Sequence, residues 1–176
     1  MPYKRNKSGR LQAYDPRTGH YSHMSTFELL SKGMPEAPKS KKEKKAERRE
    51  RKHQQLIERA LHSKDKFLPD AFIAIERQFP NSVTNVNHNV YDKALGKRRE
   101  IDISTKTAII EVKGNGATKR SKQLLGQKQY AESIGKIHIL YAPNISKATK
   151  FAYNKMGINI ATDKYELIAL IRRNQK

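Results

Sequence analysis

Residues 99–114 read REIDISTKTAIIEVKG, and this stretch decides the fold. The alternation of polar and apolar residues across Arg99–Ser104 predicts one strand, and Thr107–Lys113 predicts a second. Only Thr105 and Lys106 separate them. Because so short a connection reverses the chain, the two strands should be antiparallel neighbours in one sheet.

The acidic residues of this predicted hairpin share one face. In the second strand, alternation places Glu111 and Lys113 on one side and the apolar residues on the other. With a two-residue turn, Glu100 and Asp102 of the first strand project to that same side. Asp102 and Glu111 would then be diagonal neighbours, about 7 Å apart at the backbone.

Carboxylates crowded on a half-buried strand face repel each other and lose hydration, so the arrangement needs a compensating charge. A divalent cation supplies it, and hard oxygen ligands favour Mg²⁺ or Mn²⁺. Lys113 is placed to act on a water molecule or to stabilise charge on a phosphate. The alternative is an ordinary surface ladder of ion pairs, in which Arg98, Arg99 and Lys113 neutralise the acids.

The flanking pattern predicts an α/β domain, with a mixed central sheet between helices. The predicted helices are 70–78, capped by Asp70, then 118–134, 146–156 and 163–173. Further strands are predicted at 83–91, 137–141 and 158–161. The buried residues expected in the first of these helices and directly after it are Phe72, Ile73, Ile75 and Phe79.

Asp102 followed nine residues later by Glu111-Val112-Lys113, on two adjacent strands between helices, resembles the PD-(D/E)xK nuclease superfamily with its restriction-endonuclease-like fold. The resemblance covers about residues 67–142. It implies a metal-dependent phosphodiesterase in which Asp102, Glu111 and the Val112 carbonyl hold the metal and Lys113 works on the water. The chain departs from the family pattern at Ile101, where the motif has proline.

The resemblance also implies roles for residues on the neighbouring helices. Glu76 matches an acidic position on the helix before the sheet and would be a further metal ligand. The helix after the motif often carries polar side chains that contact substrate. The candidates here are Gln123, Gln127 and Tyr130, together with the preceding Lys119 and Arg120.

The net charge of +20, from 37 basic and 17 acidic residues, indicates a polyanionic partner. Nucleic acid is the expected one, with DNA favoured over RNA. The absence of cysteine excludes disulfide scaffolds and thiol nucleophiles. No apolar run is long enough to cross a membrane and no export signal is visible, so we expect a cytoplasmic protein without a membrane partner.

The charge divides equally between a predicted basic N-terminal arm, residues 1–66, and a nuclease-like domain, residues 67–176. Residues 1–35 are expected to contain at most one short helix. Residues 39–63 predict an exposed basic helix, supported by the Glu47 and Arg51 spacing. A phosphate-binding arm, a plain solvated helix and a disordered tail all fit this composition. Its apolar end should dock on the domain through Leu56, Ile57, Ala60 and Leu61.

Together these features favour a divalent-metal-dependent endonuclease acting on DNA, and its own Met1 suggests a free-standing enzyme. One alternative is a nuclease toxin domain that acts on tRNA or DNA and has an acidic immunity protein as partner. Another is a non-catalytic nucleic-acid-binding protein. Homodimerisation, common among restriction-type nucleases, stays open.

Overall fold

A computed structural model describes residues 3–8, 11–15, 20–23, 40–92, 96–114 and 121–174 of the 176. The chain divides into two compact units, Met1–Lys44 and Lys45–Lys176. Among the described residues, no helix has both the length and the apolar character needed to cross a bilayer.

The first unit contains a small antiparallel sheet. Its strands are β1 (Tyr3–Arg5), β2 (Leu11–Asp15) and β3 (His20–His23), with β2 in the centre. The sequence predicted at most one short helix in residues 1–35 and missed these strands. Strands of three to five residues contain too few alternations to give a clear period-two pattern.

The second unit is built on a mixed five-stranded sheet in the order β4-β5-β6-β7-β8. The β4–β5 and β5–β6 pairs are antiparallel, and the β6–β7 and β7–β8 pairs are parallel. This confirms the predicted α/β class and mixed sheet. The elements, with α1 beginning at the end of the first unit, are α1 (Lys41–Leu61), α2 (Leu68–Gln78), β4 (Val83–Asp92), β5 (Lys97–Thr105), β6 (Ala108–Val112), α3 (Ser121–Ser133), β7 (Ile137–Tyr141), α4 (Lys147–Lys155), β8 (Asn159–Ala161) and α5 (Lys164–Arg173).

The sheet is covered on both faces, and β6 is buried throughout. On one face Ala108, Ile110 and Val112 pack with α1, α2 and α5 in the principal core. On the other face Ile109 packs against Ala131 of α3. The predicted alternation of β6 is therefore confirmed, and it directs Glu111 towards α3.

Helix α2 begins two residues earlier than predicted. Phe67 occupies the N-cap position, and Asp70 lies in the first turn, so the predicted capping by Asp70 is wrong. Proline is compatible with the first turn of a helix, and this lets the helix start before Pro69. Phe72 and Ile75 are buried as expected, Phe79 is partly buried, and Ile73 is 53% exposed.

Helix α1 docks on the principal core by its C-terminal half. Leu56 and Ala60 are buried and Ile57 packs partly against the same core, as predicted, whereas Leu61 is 54% exposed. The predicted i, i+4 ion pair between Glu47 and Arg51 is present at 2.7 Å.

The β5–β6 hairpin is shifted by two residues from the predicted register. Ile103 lies opposite Ile110 and Ser104 opposite Ile109, whereas the two-residue turn would have placed Asp102 opposite Ile109. The turn is longer because the Thr105 hydroxyl accepts hydrogen bonds from the Thr107 and Ala108 amides, at 3.2 and 2.8 Å. A shift of two residues does not by itself turn a side chain to the other face, and Glu111 keeps the face predicted for it. The paired part of the hairpin ends at Ile103 and Ile110, one residue before Asp102 and Glu111.

Candidate active site

A cavity of about 480 Å³ lies at the open end of the β5–β6 hairpin. The predicted catalytic residues Asp102, Glu111 and Lys113 line it together, and Glu100 does so as well. The remaining lining comes from the loop after α1, from β4, from the end of β6 and from α3: His62, Ser63, Lys64, Asp65, Asn87, Val112 and Gln123.

The carboxylate of Asp102 is tied to the neighbouring strand. Its Oδ2 accepts a hydrogen bond of 2.7 Å from the Val112 amide. Burial and the nearby carboxylate of Glu111 raise the pKa of Asp102 from 3.8 to about 7, despite this bond and the charge of Lys113. Glu100 acts in the same upward direction. The charged form of Asp102 is therefore costly here, and a cation would relieve that cost.

Glu111 is 2% exposed, and both of its carboxylate oxygens have partners. Oε1 pairs with the Lys113 ammonium and lies 3.4 Å from the Gln123 amide nitrogen. Oε2 accepts a hydrogen bond of 2.6 Å from Gln127, whose Nε2 also lies 3.2 Å from the Glu100 carbonyl. Helix α3 thus fixes the orientation of this carboxylate from above the sheet.

Strand alternation breaks beside the cavity. Ile103 belongs to the core on the α1 side of the sheet, whereas Ile101, two residues away, packs on the α3 side. In β4 the same change occurs between Val86 and Val90, and Asn87 between them has a positive φ of 43°. A regular strand would keep each pair on one face. Asp102 is therefore located where the sheet is locally irregular, a common feature of sites that re-aim a side chain.

The loop between α1 and α2 adds residues that the sequence analysis missed. His62 and Asp65 line the cavity, and Asp65 Oδ1 accepts a hydrogen bond of 2.9 Å from the Phe67 amide. Gly114 at the end of the motif packs against this loop, since a Cβ there would lie 3.2 Å from the Phe67 ring. The polar run before Pro69 was the available signal, but it does not reveal which strand the loop faces.

Two of the other predicted residues, Glu76 and Tyr130, lie away from the cavity lining. Glu76 does not line the cavity: its carboxylate accepts hydrogen bonds of 2.9 Å from the Asn81 and Val83 amides and braces the turn between α2 and β4. Tyr130 packs against the apolar cluster under α3.

The two glutamines of α3 differ in exposure to the cavity. Gln123 lines the cavity, whereas Gln127 is buried, which leaves it no surface for direct substrate contact. Lys119 and Arg120 lie outside the described residues.

The position of α3 over the site depends on a close approach at Gly126. The Arg99 guanidinium lies against this glycine, where a Cβ would be 2.6 Å from Nη1. Arg99 Nε in turn donates a hydrogen bond of 2.8 Å to Asp92, and both side chains of this ion pair are largely buried. The pair thus lies directly beneath the helix that carries Gln123 and Gln127.

The donor set fits a hard divalent cation that keeps part of its water shell. Within the described ranges, no group of three or more His, Asp or Glu side chains is arranged to hold a metal ion. Of the ligands that the resemblance implies, Asp102, Glu111 and Val112 line the cavity, and their two carboxylates and one main-chain carbonyl are the oxygen donors that would hold the ion. Mg²⁺ is commonly bound by one or two carboxylates together with water and phosphate oxygens.

Comparisons with protein families, with curated proteins and with solved structures give no match to this chain.

Proposed function

We propose that this protein is a divalent-metal-dependent endonuclease with a restriction-endonuclease-like fold, and that it hydrolyses phosphodiester bonds of nucleic acid, DNA being the favoured substrate. The proposal depends on one observation above all. Asp102 and Glu111 come from the two strands of one hairpin and line one cavity with Lys113, and the pKa of the Asp102 carboxyl group is raised to about 7.

Asp102, Glu111 and the Val112 carbonyl would hold Mg²⁺ or Mn²⁺. A bound cation of this kind polarises a phosphoryl oxygen and lowers the pKa of a water molecule. Glu111 is the buried, pre-oriented ligand, because Gln123 and Gln127 contact its two oxygens. Asp102 is the more accessible one, and its elevated pKa makes cation binding favourable relative to the empty carboxylate pair.

Lys113 supplies the positive charge next to the reacting phosphate. Its ammonium pairs with Glu111 and its side chain is 24% exposed, so it can reach both the carboxylate and a ligand in the cavity. In this position it orients the attacking water and stabilises the charge that develops on the phosphate oxygens. The net charge of +20 supports a polyanionic substrate.

The test is cleavage of plasmid DNA, single-stranded DNA and tRNA, with Mg²⁺, with Mn²⁺ and with EDTA. We expect metal-dependent cleavage that is lost in Asp102→Ala and Glu111→Ala. Glu132→Ala, which removes an exposed carboxylate from α3, is the matched control and should remain active. Cleavage that survives in EDTA, or in both site variants, would contradict the proposal. Preferential cleavage of tRNA would identify RNA as the substrate.

One observation favours a second candidate, a nucleic-acid-binding protein without catalysis. The oxygens of Glu111 already have protein partners, and Lys113 neutralises it without any metal. For such a protein, Asp102→Asn and Glu111→Gln should strengthen DNA binding in EDTA, because they remove negative charge next to the polyanion. The same substitutions abolish turnover by an enzyme, so binding and cleavage measured on the same variants separate the two functions.

A further inference from the structure

A second groove lies on the second unit, away from the carboxylates. Its volume is about 740 Å³, and it runs between the middle of α1 and the turns that lead into β4 and β6. Leu56 and Val83 belong to its apolar floor. Its polar lining includes Asn81, Thr84, Arg49, Glu50, Lys52, His53 and Lys106.

The walls of the groove are basic. Arg49, Lys52 and Lys106 are exposed and come from two separate parts of the fold, whereas Glu50 is the acidic side chain among the lining residues. Glu76 holds the turn at Asn81 in place through its two backbone hydrogen bonds. It also lies 3.6 Å from His53 Nε2. The groove therefore has a braced wall on the sheet side and long cationic side chains at its rim.

The groove and the catalytic cavity are connected along the same two elements. His53 of α1 lines the groove, and His62, just beyond the end of α1, lines the cavity. These two residues are nine positions apart, which is about 13 Å along a helix. Lys106 lies in the turn four residues after Asp102, which is again about 13 Å along a strand. For a duplex whose axis runs along α1, with a rise of about 3.4 Å per base pair, this separation corresponds to roughly four base pairs.

We propose that this groove binds the phosphodiester backbone of the nucleic acid whose scissile phosphate enters the catalytic cavity, about four base pairs away. This inference rests on the proposed function, because that function makes the cavity the catalytic one. It adds that the substrate runs along α1 from the cavity to the groove. Charge complementarity selects a polyanion, and two pockets about 13 Å apart along one helix fit an extended phosphodiester backbone that passes from one to the other.

The experiment measures binding of a 20-base-pair DNA duplex in EDTA, so that cleavage is not needed, across a series of salt concentrations. The groove variant combines Arg49→Gln, Lys52→Gln and Lys106→Gln. The matched control combines Arg77→Gln, Lys164→Gln and Arg172→Gln, three exposed residues that line another groove between α2 and α5. Circular dichroism and thermal unfolding verify that each variant is folded.

We expect the slope of log affinity against log salt to fall by about 2 to 3 in the groove variant, since each lost phosphate contact removes about 0.9. The control variant should keep most of the slope measured for the wild type. If the triple variant does not fold, Lys106→Gln alone should lower the slope by about 1. A slope unchanged, or lowered as much by the control, overturns the proposal.

A poly-glutamate chain, tested in the same way, distinguishes the other class of partner. If the groove substitutions weaken poly-glutamate binding and leave DNA binding intact, the groove binds an acidic protein and the proposal is wrong. If the wild type shows the groove-dependent slope but no metal-dependent cleavage, the nuclease assignment fails and the groove remains a backbone-binding surface.

Discussion

The Gln127 amide donates a hydrogen bond of 2.6 Å to Oε2 of Glu111, from a helix to a strand that it covers. Gln127 is itself buried, and its Nε2 also contacts the Glu100 carbonyl. One side chain therefore connects α3 to both strands of the hairpin that carries the carboxylates. This relationship makes Gln127 a positioning residue for the proposed metal ligand.

Gln127→Leu, which keeps the approximate volume and removes the donor, should lower metal affinity or activity by about 10- to 100-fold. Partners that orient a ligating carboxylate typically have effects of that size. Titration of Mn²⁺ against cleavage rate measures the change. Gln129→Leu, on an exposed position of the same helix, is the control. Equal activity of the two variants would show that Glu111 needs no support from α3.

Asp102→Asn should stabilise the metal-free protein at pH 8. Folded Asp102 keeps its proton up to a pKa of about 7, whereas the unfolded chain releases it near 3.8. The folded state thus binds more protons between these values, and wild-type stability falls as pH rises through this window. Asparagine retains an acceptor for the Val112 amide but carries no charge, so the variant lacks this loss.

Thermal unfolding in EDTA at pH 4 and pH 8 measures this difference. We expect the variant to gain about 1 kcal/mol or more relative to wild type on going from pH 4 to pH 8. Glu132→Gln, which changes an exposed carboxylate, should show no such gain. A variant that loses stability relative to wild type over this range would contradict the raised pKa of Asp102.

Mg²⁺ or Mn²⁺ should stabilise the wild type at pH 8, because the cation binds the folded carboxylate pair and the unfolded chain has no such site. At 100 times the dissociation constant the gain is about 2.7 kcal/mol, which corresponds to a rise in Tm of roughly 5–10 °C for a chain of this size. Differential scanning calorimetry measures it. Glu111→Ala should abolish the rise, and an equal rise in that variant would place the metal elsewhere.

Asp92→Ala should destabilise the protein by about 3 kcal/mol, because it leaves the Arg99 guanidinium buried without its partner. Glu47→Ala provides the contrast: it breaks an exposed pair with Arg51 and should cost under about 1 kcal/mol. Urea denaturation of the two variants measures both costs. Similar costs would mean that the Asp92–Arg99 pair behaves as a surface pair.

The face of the hairpin that carries Asp102 and Glu111 could be predicted from the sequence, although the register could not. Strand alternation has a period of two, so the extra residues in the turn at Thr105 changed the pairing partners without turning Glu111 to the other face. The register is set by the hydrogen bonds that the Thr107 and Ala108 amides donate to the Thr105 hydroxyl. The presence of a threonine in a turn does not predict which amides its hydroxyl will accept.

Contacts between segments far apart in the sequence could not be predicted from the hydrophobic periodicity. Glu76 has the spacing of a ligand on a helix facing the sheet, yet the amides of Asn81 and Val83 bind its carboxylate. Asp65 and His62 reach the cavity because α1 docks through Leu56 and Ala60, and that docking fixes where the next loop lies. Hydrophobic periodicity predicts which side chains of a helix or strand share a face. It does not predict which loop will pack against that face.

The mixed sheet has a consequence for the order in which the molecule assembles. Asp102 and Glu111 belong to one local hairpin, which can pair in microseconds, whereas the parallel β6–β7 contact must wait for closure of a long crossover that contains α3. Until α3 docks, water still screens the two carboxylates from each other. Their mutual repulsion therefore enters late, after the slow search, and relieving it should retard unfolding more than it accelerates folding.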